Sequence, residues 1–114
     1  MTDCIFCRIA AREIPARIVH DDPEILAFED LNPQAPLHVL VIPRAHRATS
    51  LDLADADDAV VGRMLRVAAA LARARGVAAD GFRRVVNTNP MAGQSVYHLH
   101  IHVLGGRPMG WPPG

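Results

Sequence analysis

The sequence predicts an antiparallel α+β fold with five short strands, one long helix and one short helix. Residues 56–75 repeat apolar side chains at helical spacing. Five shorter runs are apolar or alternate apolar and polar residues, and most are bounded by turn-forming residues. The order along the chain is three strands, the long helix and two strands. Because strands and helices do not alternate, we expect an antiparallel sheet.

The first half of the chain supplies the short helix and three strands. Residues 4–10 are predicted to form a short helical turn, which a Glu-Ile-Pro-Ala run ends. Residues 17–20 and 24–29 surround an Asp-Asp-Pro turn and are predicted to form a hairpin. Residues 38–42 are rich in β-branched side chains, so we expect a strand that stops at the following proline.

The second half supplies the long helix and the last two strands. The helix is predicted over residues 56–75, with Gly76 as its stop. Strands are expected at residues 81–87 and 97–104, separated by a polar loop. The tail, residues 106–114, is too rich in proline and glycine for a helix or a central strand.

Length and composition limit the classes of function. The chain has 114 residues, of which 50% are hydrophobic, so we expect one domain spanning residues 1–114. Twelve basic and twelve acidic residues give a formal net charge of zero, which argues against a nucleic-acid binder. The sequence shows neither an 18-residue apolar run nor a secretory signal at residues 1–7. We expect a cytoplasmic protein that does not enter a membrane.

Three alternating histidines are the most informative feature. On a strand, His98, His100 and His102 would share one face, while the apolar residues between them would face the core. A solvated strand face normally carries Thr, Lys, Glu or Ser. The row therefore favours catalysis, with an exposed polar face and a purely metal-binding cluster as alternatives.

His100 is the best candidate nucleophile because it has an imidazole neighbour on each side. Neutral imidazole attacks electrophiles and titrates near physiological pH. His102 is predicted to bind phosphate oxygens or leaving-group atoms. The preceding segment adds hydrogen-bond donors for a phosphate, although such a loop alone is more often a plain turn. These residues are Asn87, Gly93, Gln94 and Ser95.

The only two cysteines, Cys4 and Cys7, lie two residues apart. In a reducing compartment such a pair is more typical of a metal site or a redox pair than of a structural disulfide. A tetrahedral zinc site would need two further ligands.

The run His98-Leu-His-Ile-His-Val-Leu104 resembles the signature of the histidine-triad nucleotide-binding proteins, and specifically of their Hint branch. The resemblance extends over essentially the whole chain. It includes Asp3-Cys-Ile-Phe6, Glu13-Ile-Pro-Ala16, Leu26-Ala-Phe28, Asn32-Pro-Gln-Ala-Pro36, Val41-Ile-Pro43, Gly93-Gln-Ser-Val-Tyr-His98 and Trp111-Pro-Pro-Gly114.

The resemblance implies a homodimer with one continuous sheet and a purine nucleoside phosphoramidase activity. Such an enzyme cleaves adenosine or guanosine 5′-phosphoramidates to the monophosphate and an amine. By position, His100 would form the covalent nucleotidyl intermediate, Ser95 would contact the phosphate or leaving group, and His38 would complete a histidine relay. Asp30 matches the carboxylate that binds the ribose hydroxyls.

The resemblance also implies a slot for the base and a role for the tail. Phe6 and Phe28 taken alone are more typical of core residues, and only the family places them around a base. Trp111 and the tail would reach the partner subunit's active site. The residues that match the slot are Ile5, Phe6, Ile9, Phe28 and Leu31.

In relatives that carry the cysteine pair, the positions that match Cys4, Cys7, His46 and His98 bind zinc. A closed four-ligand site would be structural, and the chemistry itself would need no metal. The alternatives are two thiols and two histidines without a metal and, less favoured, a redox pair.

Two other functions are consistent with the sequence. One is a nucleotide-binding or partner-binding module whose turnover is incidental. The other is a dinucleoside polyphosphate hydrolase or nucleotidyl transferase of a sister branch, which a glutamine in place of His102 would have favoured.

Overall fold

The computed structural model describes residues 3–114. In this part of the chain no helix is long and apolar enough to cross a membrane. Three short 3₁₀ turns occupy Ser50–Asp52, Asp55–Asp57 and Pro90–Ala92. The main elements are α1 (Ile5–Ala10), β1 (Ile18–Asp21), β2 (Ile25–Glu29), β3 (Leu37–Pro43), α2 (Asp58–Ala74), β4 (Phe82–Val85) and β5 (Ile101–Gly105).

The five strands form one antiparallel sheet in the order β1-β2-β3-β5-β4. The predicted α+β class and five-stranded sheet are therefore confirmed. In the pairing of β3 with β5, His38 lies opposite Leu104 and Leu40 lies opposite His102. His38 and His102 are thus diagonal neighbours on one face of the sheet, within reach of each other's side chains.

The two faces of the sheet are covered by different helices. On one face, Val41 and Val103 pack against Met64, Val67 and Ala68 of α2. This helix is amphipathic, and it ends where Gly76 adopts a positive φ of 75°. On the other face the short α1 packs with the alternate strand residues. That second cluster contains Phe6, Ile9, Leu26, Phe28, Leu40 and Ile42.

Two predicted elements are shorter than expected. The long helix begins at Asp58, not at residue 56, because Asp57 ends a 3₁₀ turn and its carboxylate accepts the Ala54 N–H. The fourth strand is Phe82–Val85, not 81–87, and Gly81 before it has a φ of 118°, outside the strand region.

The predicted strand over residues 97–104 is also corrected, since β5 begins only at Ile101. His98 and His100 therefore precede the strand. The Leu99 N–H donates to the carbonyl of Arg47, in the segment after β3, at 2.6 Å. His98 and His100 still face α1, where the ring of Phe6 contacts both. The side chains of His98 and His100 thus share one face, as alternation predicts, although these residues do not belong to the strand.

Candidate active site and metal cluster

His38 and His102 form a hydrogen-bonded pair whose proton positions are fixed by their surroundings. The Gln34 N–H donates to Nδ1 of His38 at 3.0 Å, so this nitrogen carries no proton. Nε2 of a neutral His38 is then the donor, and it donates to Nδ1 of His102 at 2.9 Å. Asp30 Oδ2 lies 3.5 Å from the same Nε2. His102 is left with its proton on Nε2.

His100 has the opposite arrangement. Its Nδ1 lies 2.7 Å from the carbonyl oxygen of His98, and because a carbonyl only accepts, Nδ1 is the donor. In the neutral ring, Nε2 of His100 then holds an unprotonated lone pair. The rings of His100 and His102 lie 4.9 Å apart between centroids. A nucleophilic nitrogen and a donor nitrogen are therefore side by side.

Burial keeps His38 and His102 neutral near pH 7. Burial, followed by the neighbouring His100 and His38, lowers the pKa of His102 from 6.5 to about 4. Burial also lowers the pKa of His38, against an opposing contribution from Asp30. Neutral imidazoles can accept and donate as the hydrogen bonds require.

His100 and His102 line a cleft with a volume of about 260 Å³. It lies between α1, the loop after β2 and the segment before β5. Nine of its residues are among the predicted site residues, and they are Ile5, Phe6, Ile9, Phe28, Asp30, Leu31, Ser95, His100 and His102.

The cleft also contains residues to which no role was assigned from the sequence. Leu40 lies two residues after His38 on β3 and hence on the same face, a signal that strand alternation provides. Glu29 and Val96 are chain neighbours of predicted residues. The stretch after α1 belongs to the quoted family motif, and its lining residues are Ile14, Pro15 and Ala16.

Four residues that were predicted to contact the nucleotide do not line the cleft. The side chain of Gln94 is buried, accepts the Asn89 N–H and donates to the carbonyls of Ala48 and Val96. Gly93 caps a 3₁₀ turn with a φ of 89°. Trp111 is 84% exposed. Asn87 lies in the loop after β4.

Beside the cleft, Cys4, Cys7, His46 and His98 bring one potential ligand atom each within 4.8 Å of one another. Nδ1 of His98 lies 3.2 Å from Cys4 Sγ, 3.5 Å from Cys7 Sγ and 3.2 Å from Nδ1 of His46. Cys7 Sγ lies 3.5 Å from Nδ1 of His46. A tetrahedral zinc ion separates such ligand atoms by roughly 3.3–3.8 Å, so the four residues fit zinc.

The protonation of His98 supports this fit. Its Nε2 donates to the carbonyl oxygen of Pro43 at 2.8 Å, which leaves Nδ1 with a lone pair facing the cluster. Burial lowers the pKa of His98 and favours its neutral, metal-binding form. One lone pair cannot accept from three neighbouring atoms, whereas a cation at their centre would satisfy all four groups.

Comparisons with known proteins agree with this geometry. A family model described as the HIT domain matches residues 11–109. The purine nucleoside phosphoramidase of Escherichia coli (strain K12) is 47% identical over 108 residues, covering 95% of this chain and 91% of that protein. A 14 kDa zinc-binding protein of Zea mays is 46% identical over 113 residues, covering 96% of this chain and 87% of that protein. A HIT family hydrolase from Legionella pneumophila, known from a crystal structure, has a TM-score of 0.96 and 51% identity, covering 98% of this chain and all of that one.

Proposed function

The chain belongs to the HIT-domain family, and on that premise we propose that it hydrolyses purine nucleoside 5′-phosphoramidates with His100 as the nucleophile. The observation that carries the proposal is the proton arrangement at the cleft. The carbonyl of His98 holds the Nδ1–H of His100, and the lone pair on Nε2 remains for attack. The phosphoramidase among the relatives supports the choice of substrate.

In the first step, Nε2 of His100 attacks the phosphorus atom. The new N–P bond forms as the bond from phosphorus to the amine nitrogen breaks, and the nitrogen takes up one proton from solvent and leaves as the amine. The hydrogen bond from Nδ1–H to the His98 carbonyl, 2.7 Å long, orients the ring and stabilises the positive imidazole of the intermediate.

In the second step, water attacks the same phosphorus atom and releases the nucleoside monophosphate and neutral His100. The proton released by water replaces the one that the amine took, so the net reaction adds one water molecule. His102 donates from Nε2–H to a phosphate oxygen, and His38 fixes that tautomer. The exposed hydroxyl of Ser95 lies in the same cleft and is assigned to the phosphate or leaving group.

The remainder of the cleft suits a nucleoside. Phe6 and Phe28 pack edge to face, with ring centroids 5.3 Å apart, and with Ile5, Ile9 and Leu31 they provide an apolar slot for the base. The carboxylate of Asp30 lies at the end of β2, where we assign it to the ribose hydroxyls. Asn87 and the backbone at Gly93 and Gln94 remain candidates for contacts with the phosphate.

The cluster of Cys4, Cys7, His46 and His98 is proposed to hold a structural zinc ion. A bound zinc would cross-link α1 to the segments after β3 and before β5. It would stabilise the fold and would leave the chemistry to the histidines. The zinc-binding protein of maize supports this assignment.

We further propose that the protein is a homodimer with a continuous sheet. β4 is an edge strand of the five-stranded sheet, so it offers unpaired backbone groups for a second copy. The exposed Trp111 in the tail is assigned to the partner's cleft. Light scattering that gave the mass of a single chain would contradict the dimer.

The decisive experiment mixes the protein with adenosine 5′-phosphoramidate, quenches the reaction during turnover and measures intact mass. We expect a covalent nucleotidyl adduct on His100, release of the amine and formation of AMP. His100→Ala should lower kcat by at least about 10³-fold while AMP binding, measured by calorimetry, survives. Near-normal turnover by this variant would overturn the nucleophile assignment. If the unmodified protein bound AMP without turnover, the nucleotide-binding module would be favoured. Preferential cleavage of diadenosine polyphosphates would favour the dinucleoside polyphosphate hydrolase.

A further inference from the structure

The peptide group between His98 and Leu99 is hydrogen bonded at both ends. Its carbonyl accepts the Nδ1–H of His100 at 2.7 Å, and its N–H donates to the carbonyl of Arg47 at 2.6 Å. The two bonds form a chain that runs from the Arg47 carbonyl through one planar peptide to the nucleophile. Hydrogen bonds in such chains polarise one another, and a planar peptide transmits orientation from one end to the other.

The segment at residues 43–48 provides the acceptors for this region. Besides the Arg47 carbonyl, the Pro43 carbonyl accepts Nε2–H of His98 at 2.8 Å. The Ala48 carbonyl accepts from the Gln94 side chain at 2.9 Å. The Arg44 N–H still donates to the Glu24 carbonyl at 2.8 Å, but residues 44–49 belong to no described strand or helix.

At Arg47 an ion pair holds the segment. The guanidinium of Arg47 donates to both carboxylate oxygens of Asp57, at 2.9 and 3.2 Å, and to the carbonyl of His46 at 3.0 Å. Asp57 is 8% exposed and also accepts the Ala54 N–H at 2.9 Å, directly before α2. Two-point contact between a guanidinium and a carboxylate fixes geometry better than a single contact does.

We propose that Arg47 and Asp57 form a positioning pair for the nucleophile, fixing the Arg47 carbonyl that orients the His98–Leu99 peptide and thereby the ring of His100. This inference rests on the proposed function of His100. Neither Arg47 nor Asp57 lines the cleft. Their loss should therefore slow nucleotidyl transfer to His100 more than it weakens nucleotide binding.

The test compares Arg47→Met and Asp57→Asn with Arg63→Met, all as full-length, zinc-loaded protein. Arg63 is a matched control, since it is 35% exposed against 37% for Arg47 and pairs with Asp22 at 2.8 Å and Glu24 at 2.5 Å. Asp57→Asn keeps an oxygen for the Ala54 N–H, so it is the milder change. Arg47→Lys keeps the charge and serves as the rescue.

In single-turnover experiments with adenosine 5′-phosphoramidate, Arg47→Met and Asp57→Asn should lower the nucleotidylation rate about 10- to 100-fold, with KM within about twofold. Arg47→Lys should recover part of the loss, and Arg63→Met should stay within about twofold of the unmodified protein. Zinc content measured on the same samples should be equal.

Two NMR readouts do not depend on turnover. The Leu99 amide should exchange with solvent at least about tenfold faster in Arg47→Met and Asp57→Asn, but not in Arg63→Met. The ring nitrogens of His100 should also lose their preference for the Nδ1–H tautomer. Unchanged Leu99 exchange, an unchanged His100 tautomer or an unchanged nucleotidylation rate would each overturn the positioning role.

The two proposals fail in different ways. If the unmodified protein released no amine, the proposed function would be wrong, whereas the tautomer and exchange measurements would still decide whether the pair orients His100. If the unmodified protein turned over and the Arg47 and Asp57 variants matched it, the positioning role alone would be wrong.

Discussion

Two neighbouring groups of the molecule both contain histidines, but their hydrogen bonding differs. One is the cluster of Cys4, Cys7, His46 and His98, and the other is the relay of Asp30, His38 and His102. In the relay, the Nε2–H of His38 donates to the unprotonated Nδ1 of His102 at 2.9 Å. In the cluster, three potential ligand atoms surround a single lone pair on His98. The relay holds one proton in a hydrogen bond between two nitrogens, whereas the cluster suits a metal ion.

In both regions, backbone carbonyls and amides determine which nitrogen of an imidazole carries the proton. The Pro43 carbonyl takes the proton of His98 away from the cluster, and the Gln34 N–H directs the proton of His38 toward His102. His100 lies between the two regions and is oriented by the His98 carbonyl. Four changes test this division, and they follow in order of expected effect.

Removal of the metal ligands should have the largest effect. Cys4→Ala with Cys7→Ala, or chelation of the native protein, should lower the free energy of unfolding by about 4 kcal/mol, if free zinc normally exceeds its dissociation constant about a thousandfold. Denaturant unfolding with metal analysis measures this. His20→Ala is the control, because His20 pairs with Asp22 outside the cluster. Purified protein without zinc, and equal stability of both variants, would contradict the metal assignment.

Replacement of His38 should have the next largest effect. His38→Leu removes the donor to Nδ1 of His102, so His102 is no longer held with its proton on Nε2. We expect kcat to fall about 10²-fold with zinc content unchanged. Asp30→Asn leaves the His38–His102 bond intact and should mainly raise KM. Equal loss of kcat in the two variants would contradict separate roles.

The pH dependence of stability should show a smaller effect from His102. Its pKa is about 4 in the folded protein and 6.5 when unperturbed, so between these values the unfolded chain binds more protons. The free energy of unfolding should therefore fall as the pH drops from 6.5 to 4.

His102→Gln should flatten that decline, as measured by chemical denaturation at constant zinc occupancy. The groups that face His102, namely His38, His100 and Asp30, stay in the variant, so the difference between the two curves isolates His102. Curves of the same slope would show that His102 titrates normally.

The smallest effect is expected at Phe6, whose ring contacts His98 of the cluster and His100 beside it. Its centroid lies 5.9 Å from that of His98 and 5.1 Å from that of His100. Phe6→Leu should lower stability by about 1 kcal/mol and raise KM a few-fold. Ile42→Val, in the same apolar cluster but outside the cleft, should cost similar stability without changing KM. An equal rise of KM in the Phe6→Leu and Ile42→Val variants would contradict the assignment of Phe6 to the base slot.

The sequence by itself determined the elements whose signals are local. Apolar spacing predicted α2 and Gly76 as its end, and alternation predicted which residues flanking the histidines enter the core. The family pattern named most of the cleft residues. Local patterns succeed here because each depends on the helical or strand repeat alone.

Only the tertiary structure decided which partner each histidine contacts. The register of β3 on β5 brings His38 beside His102, although 64 residues separate them. In the segment after β3, the Arg47 carbonyl accepts the Leu99 N–H where a strand neighbour would lie, and the Arg47 side chain pairs with Asp57. Hydrogen bonds between distant segments leave no periodic trace in a sequence, so the direction of each imidazole proton follows only from the folded chain.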